Sequence, residues 1–274
     1  MEAIEPGSFW FAFALTAAAG LSTGIGGLLA LFARRTNTRF LSVALGFSAG
    51  VMIYVSMVEI LPEAMRSLAG EMGSRSGLWA AVVAFFGGML IIAVIDKMVP
   101  SAENPHEAHS VEEMEDPTMS GTHNHRLLRM GLLTALAIAI HNFPEGVATF
   151  LAALHDPALG VPIAIAIALH NIPEGIAVSV PVYYATGSRI KAFWYSFLSG
   201  VAEPIGALVG YMVLVTILNE MMLGIAFAAV GGIMVFISLD GLLPAAREFG
   251  EHHLSMYGVV SGMAVMAVSL VLLG

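Results

Sequence analysis

The chain has 274 residues, of which 58% are hydrophobic and only 11% charged, with a mean hydropathy of +0.84. Soluble domains carry roughly 25% charged residues; no soluble fold hides this much apolar surface, so the excess is expected to face lipid. The net charge of −9 excludes a nucleic-acid partner, which needs a basic face, and the absence of cysteine excludes disulfides, thiolate metal sites and thiol catalysis.

At the N-terminus, Glu2 and Glu5 precede the first apolar run with no base among them, so a cleaved signal peptide is not expected. A hydrocarbon core about 30 Å thick takes roughly 20 helical residues to cross. Eight apolar segments of that length are predicted, at 8–33, 40–65, 77–99, 127–152, 158–184, 190–215, 221–243 and 255–273. They must be helices, because lipid offers no partner to a free backbone amide and the segments are too long for barrel strands. The expected fold is an all-α polytopic membrane protein, a single transmembrane domain over 1–274.

Orientation follows from Lys and Arg. Arg34, Arg35, Arg39, Lys97, Arg126, Arg129, Arg189, Lys191 and Arg247 fall in the odd-numbered connections, and only Arg66 and Arg75 in the even ones. The positive-inside rule then places both termini outside the cytoplasm. The one long connection, 100–125, holds Glu103, Glu107, Glu112, Glu113, Glu115 and Asp116 with His106, His109, His123 and His125 and no base. It is predicted to be a disordered cytoplasmic loop, either a solvated linker or a weak metal-collecting tract.

Spans 1–3 resemble spans 6–8. Gly50-Val51-Met52-Ile53-Tyr54-Val55-Ser56 with Leu61-Pro62 and Ala64 matches Gly232-Ile233-Met234-Val235-Phe236-Ile237-Ser238 with Leu243-Pro244 and Ala246. Gly88-Met89 matches Gly262-Met263, and Gly20, Ile25 and Gly26 match Gly200, Ile205 and Gly206. The predicted topology gives the two triplets opposite orientations. An inverted repeat of this kind around a central span 4–5 pair is a transporter signature, with the substrate site near the midplane.

Spans 4 and 5 each contain the same motif, His141-Asn142-Phe143-Pro144-Glu145-Gly146 and His170-Asn171-Ile172-Pro173-Glu174-Gly175, and span 6 adds Glu203-Pro204 at a similar depth. An acid at the bilayer centre costs roughly 2.5–3.5 kcal/mol on insertion scales, so such residues are functional candidates by default. At about 100° per residue each glutamate falls between the His and the Asn of its own motif. Two facing helices can therefore form one site of two His and two Glu, and an adjacent site of two Asn with the shared Glu pair, which Glu203 can complete. Imidazole and carboxylate suit Zn²⁺, Fe²⁺, Co²⁺, Ni²⁺ and Mn²⁺. Pro144 and Pro173 lack an N–H, which frees the carbonyls of Ile140 and Leu169 and is expected to kink each helix.

Other polar residues are less specific. Glu59, in the outer half of span 2, either guides ions inward or is a capped or snorkelling acid. Asp240 reads as a helix-end residue, and His155-Asp156 as turn chemistry.

The doubled His-Asn-x-Pro-Glu-Gly resembles the ZIP (Zrt/Irt-like) family of divalent metal transporters, and span 2 with the run 140–187 looks like its bacterial ZupT branch. The resemblance implies uptake of Zn²⁺, and of Fe²⁺, Co²⁺ or Mn²⁺, across the cell (inner) membrane into the cytoplasm. It also implies a binuclear site carried by His141, Asn142, Glu145, His170, Asn171, Glu174 and Glu203, with Glu59 a further candidate ligand. Homodimers and an elevator-like motion of spans 1, 4, 5 and 6 against the rest are implied as well. No Walker A sequence points to ATP, and no catalytic cofactor is expected. The alternatives are an intramembrane metal-dependent hydrolase, against which the zincin order His-Glu-x-x-His is absent, and a metal sensor that binds without flux.

Overall fold

A chain this apolar has to satisfy its backbone amides internally, and it does so with helices throughout. The computed structural model describes residues 6–32, 38–98, 122–214, 220–248 and 252–273; among these there is no strand. The helices are α1 (Pro6–Phe32), α2 (Thr38–Val55), α3 (Leu61–Met72), α4 (Ser74–Met98), α5 (Thr122–His155), α6 (Pro157–Thr186), α7 (Arg189–Gly200), α8 (Ala202–Leu214), α9 (Glu220–Ile237), α10 (Leu243–Glu248) and α11 (His252–Leu273). Two five-residue π-helices, Ser56–Ile60 and Ser238–Leu242, join α2 to α3 and α9 to α10 without a break. Each lies at the same place in its half of the sequence match, directly before Leu-Pro.

Among the described residues, seven stretches are long and apolar enough to cross a membrane: Gly7–Leu29, Ser42–Met72, Ser74–Lys97, Gly160–Val180, Arg189–Met212, Met221–Arg247 and His253–Leu272. The predicted span 127–152 is helical, within the 34 residues of α5, but is not among the seven. The predicted loop 100–125 lies outside the described residues up to 121, and its last four residues already belong to α5.

Helix boundaries follow local chemistry. Asp156 caps α6, its Oδ1 accepting from the Ala158 amide at 2.8 Å, and Pro157 opens the helix where no intrahelical donor is needed. Gly187 ends α6 in the left-handed region at φ 63°, and Ser188 then caps α7. His155 and Asp156 are exposed at this joint, as turn chemistry requires.

Small residues set the packing. A methyl group added at Gly50 of α2 would collide with the Val259 carbonyl of α11, and one at Gly232 of α9 with the Phe85 carbonyl of α4. Gly262 of α11 meets the Phe47 carbonyl of α2, and Gly88 of α4 meets that of Ala229 of α9. Close backbone approach of this kind is how helices associate where lipid removes the hydrophobic drive. On α4, Trp79, Val83, Phe86, Leu90 and Val94 form an exposed apolar stripe at helical spacing. A second group of helices, α1, α5, α6 and α7–α8, pack on one another and enclose the polar motifs.

Candidate metal centre

Both helices continue through their motif prolines without a break, so Pro144 and Pro173 sit inside α5 and α6 rather than ending them. The glycine that closes each motif makes room for a neighbour. A Cβ at Gly146 would strike the Glu203 carbonyl of α8, and one at Gly175 the Thr23 carbonyl of α1. Glycine here brings the flanking helices within reach of the polar side chains.

Glu203 is positioned by a break. α7 ends at Gly200, Val201 turns, and α8 starts at Ala202, which puts Glu203 in the first turn of a helix, where a carboxylate is favoured. The same break leaves the Ser199 carbonyl able to accept from a side chain.

His141, Asn142, Glu145, His170, Asn171, Glu174 and Glu203 are all buried, five of them completely. The His141 Nε2 atom lies 3.2 Å from Glu145 Oε1 and 3.2 Å from Glu174 Oε1, and His170 Nε2 lies 3.3 Å from Glu145 Oε1. Glu145 thus touches both imidazoles, whose ring centroids are 6.4 Å apart. Ligand atoms of His141, His170 and Glu174 come within 4.8 Å of one another, close enough to share one ion.

The asparagines diverge. Asn171 Nδ2 donates to Glu203 Oε1 and to the Ala19 carbonyl at 2.9 Å, whereas Asn142 Nδ2 donates to the Ser199 carbonyl at 3.3 Å. Glu203 therefore joins the cluster on the Asn171 side.

Among the described residues, eleven buried side-chain nitrogen and oxygen atoms lack a hydrogen-bond partner, and eight belong to these seven residues, two of them the His141 Nε2 and Glu145 Oε1 atoms that face each other without hydrogen-bond geometry. Native proteins pair nearly all such atoms, so orphans grouped in one place need a cause. Three carboxylates out of water are expensive unless a cation offsets them. Imidazole nitrogens and carboxylate oxygens are the donor set that suits a divalent cation.

Glu59 and Asp240 stand apart from this cluster. Glu59 is half-buried on the first π-helix, and the charged groups acting on it are Arg66 and Glu63, not the motif carboxylates. Glu63 is itself paired with Arg66 at 2.7 Å. Asp240 is exposed on the second π-helix. Sequence reasoning did not single out the Ala19 and Ser199 carbonyls or the buried Thr23. The signal available was their place beside the matched glycines Gly20 and Gly200.

The family model of the ZIP zinc transporters matches residues 9–270. The chain is 63% identical over 262 residues to "Zinc transporter ZupT" of Streptococcus mutans, covering 95% of this chain and 97% of the relative. It is 62% identical to the protein of the same name from Oceanobacillus iheyensis, covering 96% and 97%. It is also 62% identical to that of Nitratidesulfovibrio vulgaris, covering 98% and 99%. A match of this length and identity, on a helical membrane chain with His and Glu gathered in its interior, leaves one conclusion: the chain belongs to the ZIP zinc transporter family.

Proposed function

We propose that this protein carries Zn²⁺, and with it Fe²⁺, Co²⁺ or Mn²⁺, across the cell (inner) membrane into the cytoplasm by alternating access. Family membership makes it a multi-pass metal transporter and not an enzyme. The observation that carries the substrate reading is the buried group of His141, Glu145, His170 and Glu174, with Glu203 and Asn171 hydrogen-bonded beside it. One ion sits between the imidazoles and the two motif glutamates. A second takes the asparagines, Glu203 and the Glu145–Glu174 pair, which makes the site binuclear.

Eight crossings with both termini outside complete the reading, α5 being the eighth. Their arrangement as an inverted repeat is supported by contacts that pair off between the halves. Matched through Gly50/Gly232 and Gly88/Gly262, the α2–α11 contact of Gly50 maps onto the α9–α4 contact of Gly232, and that of Gly262 onto that of Gly88. The paired π-helices support it too. In this scheme α1, α5, α6 and α7–α8 move together as the element that carries metal, and the remaining helices hold it in the bilayer. The exposed stripe on α4 contacts lipid, and the protein works as a homodimer.

The test is Zn²⁺ flux into proteoliposomes containing the purified full chain, beside Glu145→Ala. Flux in the parent and none in the variant is the expected result. Metal binding without flux would instead favour a sensor, and turnover of lipid or peptide a hydrolase.

A further inference from the structure

The helices around the site repeat their contacts in a way that assigns a role to a residue no motif covers. Gly20 of α1 and Gly200 of α7 are reciprocal: a Cβ on either would strike the other's carbonyl. Gly26 of α1 meets the Ile172 carbonyl of α6, and Gly206 of α8 meets the Phe143 carbonyl of α5. Gly175 meets the Thr23 carbonyl, and Gly146 that of Glu203. Asn171 donates to the Ala19 carbonyl, and Asn142 to that of Ser199. Every one of these pairs follows from a single correspondence of α1 with α7–α8 and of α5 with α6. Under it, Thr23 falls on Glu203.

The side chains obey the same rule. A Cβ at Gly20 would meet the Glu203 Cβ at 2.9 Å, and one at Gly200 would meet the Thr23 Cβ and Oγ1 at 2.9 Å. Glu203 takes the Asn171 side. Thr23 is fully buried, and its Oγ1 has no hydrogen-bond partner. The correspondence that sets Glu203 beside Asn171 sets Thr23 beside Asn142, and the Oδ1 atoms of both asparagines are also without one. A threonine hydroxyl inside a helix usually bonds back to the carbonyl one turn earlier, as Thr16 does to Ala12 at 2.9 Å and Thr149 to Glu145 at 2.8 Å. Thr23 does not.

We propose that Thr23 is the neutral counterpart of Glu203, supplying a hydroxyl oxygen to a divalent cation on the Asn142 side of the centre. It thereby makes the two asparagine positions unequal, with carboxylate on one side and hydroxyl on the other. This rests on the metal-transport reading above. A neutral oxygen attracts a cation less than a carboxylate, so the ion shared by the asparagines is held less firmly from the Asn142 side than from the Asn171 side.

The experiment is Zn²⁺ titration of the purified full chain and four variants, with thermal unfolding of each without metal. Thr23→Val keeps the shape and removes the hydroxyl. Expected is a roughly tenfold loss of Zn²⁺ affinity, the scale seen when a supporting group of a metal site is removed, with thermal stability unchanged or higher because an unpaired buried hydroxyl is gone. Thr23→Ser should bind like the parent. The swap Thr23→Glu with Glu203→Thr moves the carboxylate across the correspondence, against Gly200 instead of Gly20. It should recover most of the affinity that Glu203→Thr loses alone. Thr23→Val binding Zn²⁺ as tightly as the parent overturns the proposal, whether or not the swapped variant folds. A folded swap as weak as Glu203→Thr overturns it as well. Failure of the parent chain to bind Zn²⁺ at all would strike the transport reading itself, and is told apart by that control.

Discussion

The two copies of His-Asn-x-Pro-Glu-Gly are nearly identical in sequence and unequal in what they touch. Glu145 of α5 contacts both imidazoles, while Glu174 of α6 contacts His141. Asn171 holds Glu203 as well as a backbone carbonyl, while Asn142 holds a carbonyl only. A duplicated motif therefore does not yield duplicated chemistry. For the asparagines the difference lies in the flanking helices, α8 offering the Glu203 carboxylate where α1 offers the Thr23 hydroxyl.

The largest expected effect breaks the comparison at its shared member. Glu145→Ala removes the contact common to both histidines and should lower Zn²⁺ affinity by about a hundredfold or more, with loss of uptake, measured by titration and by flux. Glu174→Ala should cost less than Glu145→Ala in the same assay. Asparagine substitutions sharpen the asymmetry. Asn171→Ala frees Glu203 and should weaken binding roughly tenfold more than Asn142→Ala, which should lower stoichiometry or shift metal preference. A ratio near one, or a reversed one, would show that Glu203 does not set the difference.

Stability gives a smaller and separate reading. Gly146→Ala and Gly175→Ala each drive a methyl group into a neighbouring carbonyl and should destabilise the protein by about 1–3 kcal/mol in thermal unfolding. Gly87→Ala, with nothing near its Cβ position, should be neutral or stabilise by up to about 1 kcal/mol. The smallest effect is expected outside this comparison. Deletion of residues 103–122 should leave maximal uptake largely intact and alter mainly its dependence on metal concentration.

Much of the centre was legible because lipid makes polar residues conspicuous. His141, Glu145, His170 and Glu174 interrupt apolar helices at a spacing that puts each glutamate beside its histidine, and α5 and α6 bring them together. Glu203 was legible for the same reason, and its bond to Asn171 gives it an address. Other features were hidden by their chemistry. The Ala19 and Ser199 acceptors are backbone carbonyls, which leave no side-chain signature, and Thr23 looks like any membrane-helix threonine until its hydroxyl is found unpaired. The π-helices were also invisible. Periodicity over a window of ordinary length does not register one inserted residue, although the matched Leu-Pro pairs marked the places.

Those insertions bear on how one span serves two sets of neighbours. Closing a wider turn with a bond from the Leu61 amide to the Ser56 carbonyl slips the helix by one residue, about 100° of phase. Below the slip, α2 packs on α11 and α6; above it, α3 packs on α4 and α9. The buried faces on either side of the joint, Ala49 and Met52 below and Ala64 and Leu68 above, are thus set to different compass bearings on one rod. Removing a single residue from 56–60 would leave an ordinary helix of nearly the same length. It would also swing Ala64 and Leu68 out of their contacts, so that the span kept its fit to the bilayer and lost its fit to the protein.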